Sequence, residues 1–283
     1  MPGLFGLLEI GRRGLAAQST AMNVTSHNIA NANALGYTRQ RVDFGATMPL
    51  RNAQGLLIGT GVSIDAIERL RDRFIDTQFR QANSSLGSAS LRHNILSQIE
   101  AGLSEPSANG LQALLSGFFN SFQELASHPE ESAPRQAVLQ QATQLVSAFN
   151  RISSNFTTQR TALADEASNK VDRINELTRQ IAELNRQIAI ARSSGSNVPS
   201  DLMDRRDEAL DRLSELTSIT ASLDSQGAMI VSIGGVMVAG NGTSVTLQGN
   251  VVNGVFKVTA PGGQDVPITG GELGSALELY NTT

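Results

Sequence analysis

Three histidines, His27, His93 and His128, are the side chains of this 283-residue sequence best suited to proton transfer or zinc ligation near neutral pH. They lie in three different segments, and none has a second ligand type at the helical spacing a metal site uses. They read as surface or interfacial polar residues. The densest group of carboxylates is Asp201, Asp204, Asp207, Glu208 and Asp211. It could gather a divalent cation, but Arg205, Arg206 and Arg212 are interleaved with it. On a helix these charges pair at i,i+3 and i,i+4, so a solvated, self-paired face is expected.

Phosphate-loop chemistry finds no support. Neither GxGxxG nor GxxxxGK[ST] occurs, and the glycine pairs fall between strand-like runs, where they make hairpin turns. GxSxG and HExxH are also absent. Without cysteine there is no thiolate nucleophile, thiol metal site or disulfide. Asn241-Gly242-Thr243 and Asn281-Thr282-Thr283 match the glycosylation sequon, which carries little weight without a signal peptide. No catalytic, cofactor-binding or metal residue is assigned. The expectation is a structural protein that packs helices against other chains, not an enzyme, and that needs no cofactor.

Bulk composition points the same way. Lys and Arg number 22 and Asp and Glu 26, a net charge of -4, which gives no electrostatic reason to expect nucleic acid or an anionic membrane as partner. Hydrophobic residues make up 40% but aromatics only 4%, and Trp is absent, so the apolar mass is Leu, Ile, Val and Ala, suited to helix-on-helix seams. No apolar run reaches membrane-spanning length. The short apolar start precedes Arg12 and Arg13, the reverse of a cleaved secretory signal. The chain is therefore expected to be cytoplasmic, or exported by a route without a cleaved signal.

The elements that would position any function fall into five stretches. Residues 1–32 hold a helix with Leu4, Leu8, Leu15, Met22 and Ile29 on one seam and Gly14, Ala16, Ala17, Ser19 and Ala21 on other faces. Its glycines cost roughly 1 kcal/mol each against alanine, so in isolation it should be marginal and become stable on packing against other chains. Residues 33–68 form an extended linker with short β pieces at 37–44, 56–58 and 62–67. Residues 69–218 are a long helical, rod-like region. It comprises a helix over 69–103, a shorter one over 110–127 whose wide apolar face should be core, a long one over 132–193, and a last one over 201–218. Ser132 is read as N-cap of the long helix, with Pro134 in its first turn.

That long helix carries threes-and-fours spacing from Leu139, Ala142, Leu145, Phe149, Ile152 and Phe156 through Leu163, Ala167, Val171, Ile174, Leu177, Ile181, Leu184, Ile188 and Ala191. After 219 the period becomes alternating, and strands are expected at 219–223, 228–233, 236–239, 244–247, 251–259 and 266–269, a small antiparallel β domain over 219–270. A helix begins near Gly271, and the sequence ends within it, which reads as a fragment whose 271–283 stretch starts a returning helix. The fold class expected is α+β: a long coiled-coil-like helical bundle with an N-terminal assembly helix, then a small antiparallel β domain.

The run Ser26-His27-Asn28-Ile29-Ala30-Asn31-Ala32-Asn33-Ala34-Leu35-Gly36-Tyr37-Thr38-Arg39 resembles the N-terminal signature of the bacterial flagellar axial proteins, N-N-I-A-N-A-x-T-x-G-Y. His27 and Ala34 depart from it. Gly59-Thr60-Gly61-Val62, Ile67-Glu68-Arg69-Leu70-Arg71-Asp72-Arg73-Phe74 and Phe118-Phe119-Asn120-Ser121-Phe122 look like the hook-associated protein 1 family of that superfamily, the junction between hook and filament. Asp201-Leu202-Met203-Asp204-Arg205-Arg206-Asp207 resembles that family's L-x-D-x-R-D element.

The resemblance implies a structural subunit, exported without a cleaved signal through the flagellar type III apparatus, with an inner-tube helix, a rod-like domain and an outer β domain. It implies as partners other copies in a ring, hook protein, a second junction protein, and the export apparatus with a chaperone. Leu4, Leu8, Leu15, Met22 and Ile29 are the expected inter-subunit contacts. Asn28, Asn31, Gly36, Tyr37 and Arg39 are expected to set the bend between helix and linker. Two alternatives remain: a rod or hook subunit of the same superfamily, and a flagellum-displayed adhesin or enzyme with the β region as its active part.

Overall fold

The computed structural model describes residues 4–34, 36–51, 55–103, 110–194 and 199–282. Within them the first helix, α1 (Leu4–Ala30), turns into an antiparallel pair, β1 (Gln40–Ala46) with β4 (Val62–Arg69), capped by the small hairpin β2 (Leu50–Arg51) and β3 (Leu57–Ile58). Four helices follow: α2 (Arg73–Leu103), α3 (Leu111–Ser127), α4 (Ser132–Ser193) and α5 (Ser200–Leu216). Then come β5 (Thr220–Leu223), β6 (Met229–Ile233), β7 (Val236–Ala239), β8 (Gln248–Val252), β9 (Val255–Ala260), β10 (Gln264–Asp265) and helix α6 (Gly271–Thr282). The α+β expectation holds. The break expected at 104–109, and that at 195–199 except for Pro199, lie outside the described residues.

One hydrophobic cluster joins the inner half of α4 (Leu163, Val171, Ile174, Leu177, Ile181), Leu210 and Leu213 of α5, Leu273 and Ala276 of α6, and inward residues of both C-terminal sheets, such as Val231, Val238, Phe256 and Val258. The sheets run β5-β6-β7 and β10-β9-β8, all antiparallel. Their tight turns are those the glycines announce; Asn253 at φ 53 followed by Gly254 at φ 80 gives the paired left-handed residues of a two-residue hairpin between β8 and β9. That turn splits the 251–259 run into two strands.

Two asparagines of α4 fasten these sheets. Asn175 brackets Leu247, its amide donating to the Leu247 carbonyl and its oxygen accepting the Leu247 N–H, each at 2.8 Å. Asn185 donates to the carbonyls of Met229 (2.8 Å) and Gly240 (2.9 Å) and accepts the Met229 N–H (3.0 Å). This corrects one expected strand. The 244–247 run makes no ladder beyond a single bridge from Ser244 to Ala239, because Asn175 takes the hydrogen-bonding groups of Leu247. The 266–269 run is not a strand either. Val266 donates one bond to Val258, and Pro267 then has no N–H to extend the ladder.

Four helical expectations also change. The N-cap of α4 is Glu131, one residue before Ser132, and its side chain makes no capping bond. The apolar face of α3 is not core: none of its residues is buried, and Phe119 is 65% exposed. Among the described residues it packs chiefly along α4, and two helices cannot enclose a face that wide. The outer half of α4 likewise buries Pro134, Val138 and Ala148, while Leu139 stays 68% exposed. Helix α2 begins at Arg73 rather than at 69, because Arg69 ends β4; its buried face is Arg80, Ser84, Gly87 and Leu91, and Phe74 and Leu86 point outward. Gly87 explains the choice: a Cβ there would sit 2.4 Å from the Glu215 carbonyl oxygen, so only glycine lets α2 approach α5 so closely.

Candidate assembly interface and its joint

Helix α1 has two unlike faces. Small or slender residues, among them Ile10, Gly14, Ala17 and Val24, recur at threes and fours and turn toward the β1–β4 pair, where Ala17 is buried and Gly61 lies against the Ile10 backbone. The opposite face carries the seam read from the sequence. Leu8 is exposed, and Leu15, Met22 and Ile29 are 75%, 70% and 73% exposed; the side chain of Leu4 lies outside the described residues. Phe5 and Leu7 extend this bare surface. Fully burying each such side chain is worth about 1.5–3 kcal/mol, so the stripe is a large unused driving force for association.

The residues expected at the bend after α1 lie together there, and most of them make a side-chain bond or a turn. Asn28 clamps Gln40 at the start of β1, its amide donating to the Gln40 carbonyl (2.8 Å) and its oxygen accepting the Gln40 N–H (2.9 Å). Tyr37 donates its hydroxyl to the same Asn28 oxygen (2.8 Å), and its ring meets His27 edge-on. Burial, reinforced by Asp204 and Asp201, raises the Tyr37 pKa, which keeps that donor protonated. Asn31 donates back to the His27 carbonyl at 3.0 Å, closing the helix end. Gly36 stands at φ +78, a left-handed turn that side chains resist, beside Glu208 of α5. Arg39 takes part through its backbone: its side chain is exposed and its carbonyl accepts the Leu70 N–H at 2.9 Å.

The charged run on α5 departs most from expectation. Asp204, Arg206 and Asp207 are buried, and Arg212 with Glu208 is the one helical self-pair the run makes among the described residues. The partners of the aspartates come from other elements. Arg69, at the end of β4, sits 2.6 Å from both Asp204 and Asp207. Arg71 bonds Asp76 at 2.7 Å and reaches Asp207 and Asp211 at 3.5 and 3.4 Å, while Arg80 of α2 bonds Asp211 at 2.8 Å. Asp204 also accepts the Thr38 N–H at 3.3 Å.

Arg206 has no carboxylate within ion-pair distance among the described residues, and it donates to Asn185 at 3.1 Å. Burial pulls its pKa down to about 10, against the raising influence of Asp207. Burial also pushes Asp211 above the usual carboxylate range, opposed by Arg80. For Arg71, burial lowers the pKa, but the Asp76 bond and the nearby aspartates outweigh it. The L-x-D-x-R-D element is thus a buried half-cluster completed by Arg69, Arg71 and Arg80. Sequence reasoning missed those arginines. The available signal was Arg80 in register with Ser84, Gly87 and Leu91, a buried helical face with one charge in it.

Among the described residues no group of three or more His, Asp or Glu is placed to hold a metal. His27 contacts Tyr37 and His128 pairs with Glu124, each within its own neighbourhood. The arrangement leaves the apolar stripe of α1 exposed and places the bend and the charged cluster between that helix and α5.

Comparison with known proteins gives a consistent picture. Residues 96–283 match the family described as the flagellar hook-associated protein FlgK helical domain, and residues 8–38 match the flagella basal body rod protein family. The chain is 37% identical over 213 residues to flagellar hook-associated protein 1 of Bacillus subtilis, covering 73% of this chain and 42% of that protein. It is 32% identical over 202 residues to flagellar hook-associated protein 1 of Salmonella typhimurium, covering 71% of this chain and 36% of that one. The chain therefore spans less than half the length of these relatives. The structure of the flagellar hook junction protein FlgK from Burkholderia pseudomallei superposes with a TM-score of 0.65 at 25% identity, over 71% of this chain and 38% of that one.

Proposed function

Because the chain belongs to the flagellar hook-associated protein FlgK family, we propose that it is a structural, non-catalytic subunit of the bacterial flagellum, an adaptor between hook and filament. Copies form a ring on the hook through α1, and the ring offers the surface on which a second junction protein and then flagellin build. The observation that carries this is the apolar stripe of Leu8, Leu15, Met22 and Ile29, left bare while the small-residue face of the same helix is used for internal packing. A long apolar stripe exposed on a folded chain marks an interface. In this reading the protein works outside the cell, is exported without a cleaved signal by the flagellar apparatus with a chaperone, and touches neither nucleic acid nor membrane. Residues 1–32 make the inner tube, 33–68 the linker, 69–218 the rod-like body and 219–270 an outer region.

Deletion of the gene, with electron microscopy of the cells and an assay for flagellin in the medium, tests this. Complete hooks without filaments, and flagellin lost to the medium, are expected. Absent hooks would move the protein to the rod or hook class, a reading favoured by the match of residues 8–38 to rod proteins. Normal filaments would sink both. Complementation with Leu15→Glu and Met22→Glu should fail to restore filaments although the chain is made and exported.

A further inference from the structure

Residues 4–70 hold α1, β1 and β4, yet among the described residues none of the hydrophobic cluster that unites α2, α4, α5, α6 and the C-terminal sheets comes from them. Among the described residues helix α1 packs chiefly along β1 and β4 rather than along another helix. Between α1 and the start of α5 there is an open cleft of about 420 Å³, lined by Thr20, Asn23 and His27 on one side and Pro199, Ser200 and Asp201 on the other. The N-terminal unit therefore sits on the helical body without a shared apolar core, and with room to move.

What crosses between them is charge. Arg69 of β4 reaches Asp204 and Asp207 of α5, and the backbone N–H of Thr38 reaches Asp204. Arg71, in the link between β4 and α2, reaches Asp207 and Asp211. Arg80 holds Asp211 from within the body and stands 3.8 Å from Asp207. With Arg206 and Asp76, four arginines face four aspartates, so the group is neutral as a whole.

The network is also incompletely satisfied. Arg69 Nε, Arg80 Nη2, Arg206 Nε and Asp204 Oδ1 are buried without an aligned hydrogen bond, although Asp204 Oδ1 stands close to Arg69. A half-satisfied buried network holds one geometry and gains little over an alternative in which water reaches its members.

We propose that this cluster is a releasable joint: it locks the N-terminal unit at one angle on the helical body, and neutralising its aspartates frees the unit to swing as a rigid piece while both sides stay folded. The joint lies where β4 passes into α2, with residues 70–72 as its covalent strand. It lets one body present the α1 stripe at more than one angle to its neighbours. It is a property of the chain itself and stands or falls independently of the place proposed for the protein in the flagellum.

The absence of cysteine makes the test direct. The full chain would carry spin labels at Asp43→Cys on β1 and Arg205→Cys on α5, both exposed positions. A control pair within the body would be Arg205→Cys with Ser222→Cys. Electron–electron distance measurements would be made with the cluster intact, with Asp207→Asn, and with the milder Asp204→Asn. The expected result is a narrow β1–α5 distribution with the cluster intact that shifts and broadens in both variants, while the control pair is unchanged and the helical circular dichroism is retained. An unchanged β1–α5 distribution in the variants would overturn the proposal, because something other than the cluster then holds the angle. A distribution already broad with the cluster intact would also overturn it. So would broadening of the control pair or loss of helicity in Asp204→Asn, which would make the cluster part of the core.

Discussion

The two halves of α4 carry the same threes-and-fours apolar spacing and meet opposite environments. From Leu163 to Ile188 every seam residue is buried, against α5, α6 and two sheets. From Ser132 to about Phe156 the helix packs mainly on α3, with the end of α2 beside Ile152 and Phe156, and Leu139, Val146 and Phe149 remain exposed. The helix is continuous over 62 residues, about 90 Å at 1.5 Å per residue, so the backbone does not distinguish the halves. The difference lies in what returns to cover them. Polar residues confirm it: the inner half holds Asn175 and Asn185 buried and clamped to the sheets, whereas Asn150 and Asn155 of the outer half face solvent. A periodic seam therefore announces that a partner is wanted, without saying whether this chain supplies it.

The largest expected effect contrasts the halves directly. Ile181→Ala should lower unfolding free energy by about 2–5 kcal/mol, and Leu139→Ala by less than about 0.5 kcal/mol, in urea denaturation of the isolated chain. Equal losses would erase the comparison.

The asparagine contrast comes next. Asn185→Ala leaves the buried Met229 and Gly240 backbone groups and Arg206 without their partner and should cost about 1–3 kcal/mol, with hydrogen exchange speeding first in β6 and β7. Asn155→Ala should cost almost nothing.

A third probe sits outside α4. Gly36→Val forces a β-branched residue into φ +78, a strain of about 1–3 kcal/mol, although the space beside Glu208 would admit a Cβ. Assembly should suffer while amide protection in both halves of α4 stays as it was; equal loss of protection in the inner half would mean the bend and the core fold as one unit.

The last effect, confined to pH above about 10, is a pH signature of Arg206, the α5 partner of Asn185. The folded pKa of Arg206, about 10, lies below its unfolded value, so its stability contribution is present above the unfolded pKa and lost as pH falls through about 10. Measured against Arg206→Met, the unfolding free energy of the natural chain should thus rise with pH above about 10 and be flat between pH 6 and 9. A flat difference throughout would mean that Arg206 is better solvated than its burial indicates.

Much of this was legible in advance. The helix over α1, the long helix over α4, the switch to β period after 219 and the glycine turns all follow from short-range rules, because period and turn chemistry act between residues a few positions apart. The bend residues Asn28, Asn31, Gly36 and Tyr37 were visible through a signature, and the structure gives each a bond or a backbone angle. The charged run on α5 was misread because pairing at i,i+4 is the local solution for alternating charges. Its actual partner Arg69 lies 138 positions from Asp207.

The sequence by itself determined where the long helices lie and where the period turns to β, that the chemistry of catalysis has no obvious constellation here, and that α1 carries an apolar seam; which C-terminal runs pair as strands was decided by Asn175 and by the lack of an N–H at Pro267. The tertiary structure alone decided which seams are filled from within and which stay bare. It decided that α3 lies open, that the aspartates of α5 are buried, and that the N-terminal unit rests on charge. The physical reason is that periodicity belongs to neighbours along the chain, whereas burial belongs to whichever distant segment packs there, and a buried charge is tolerable only where such a segment brings its counter-charge.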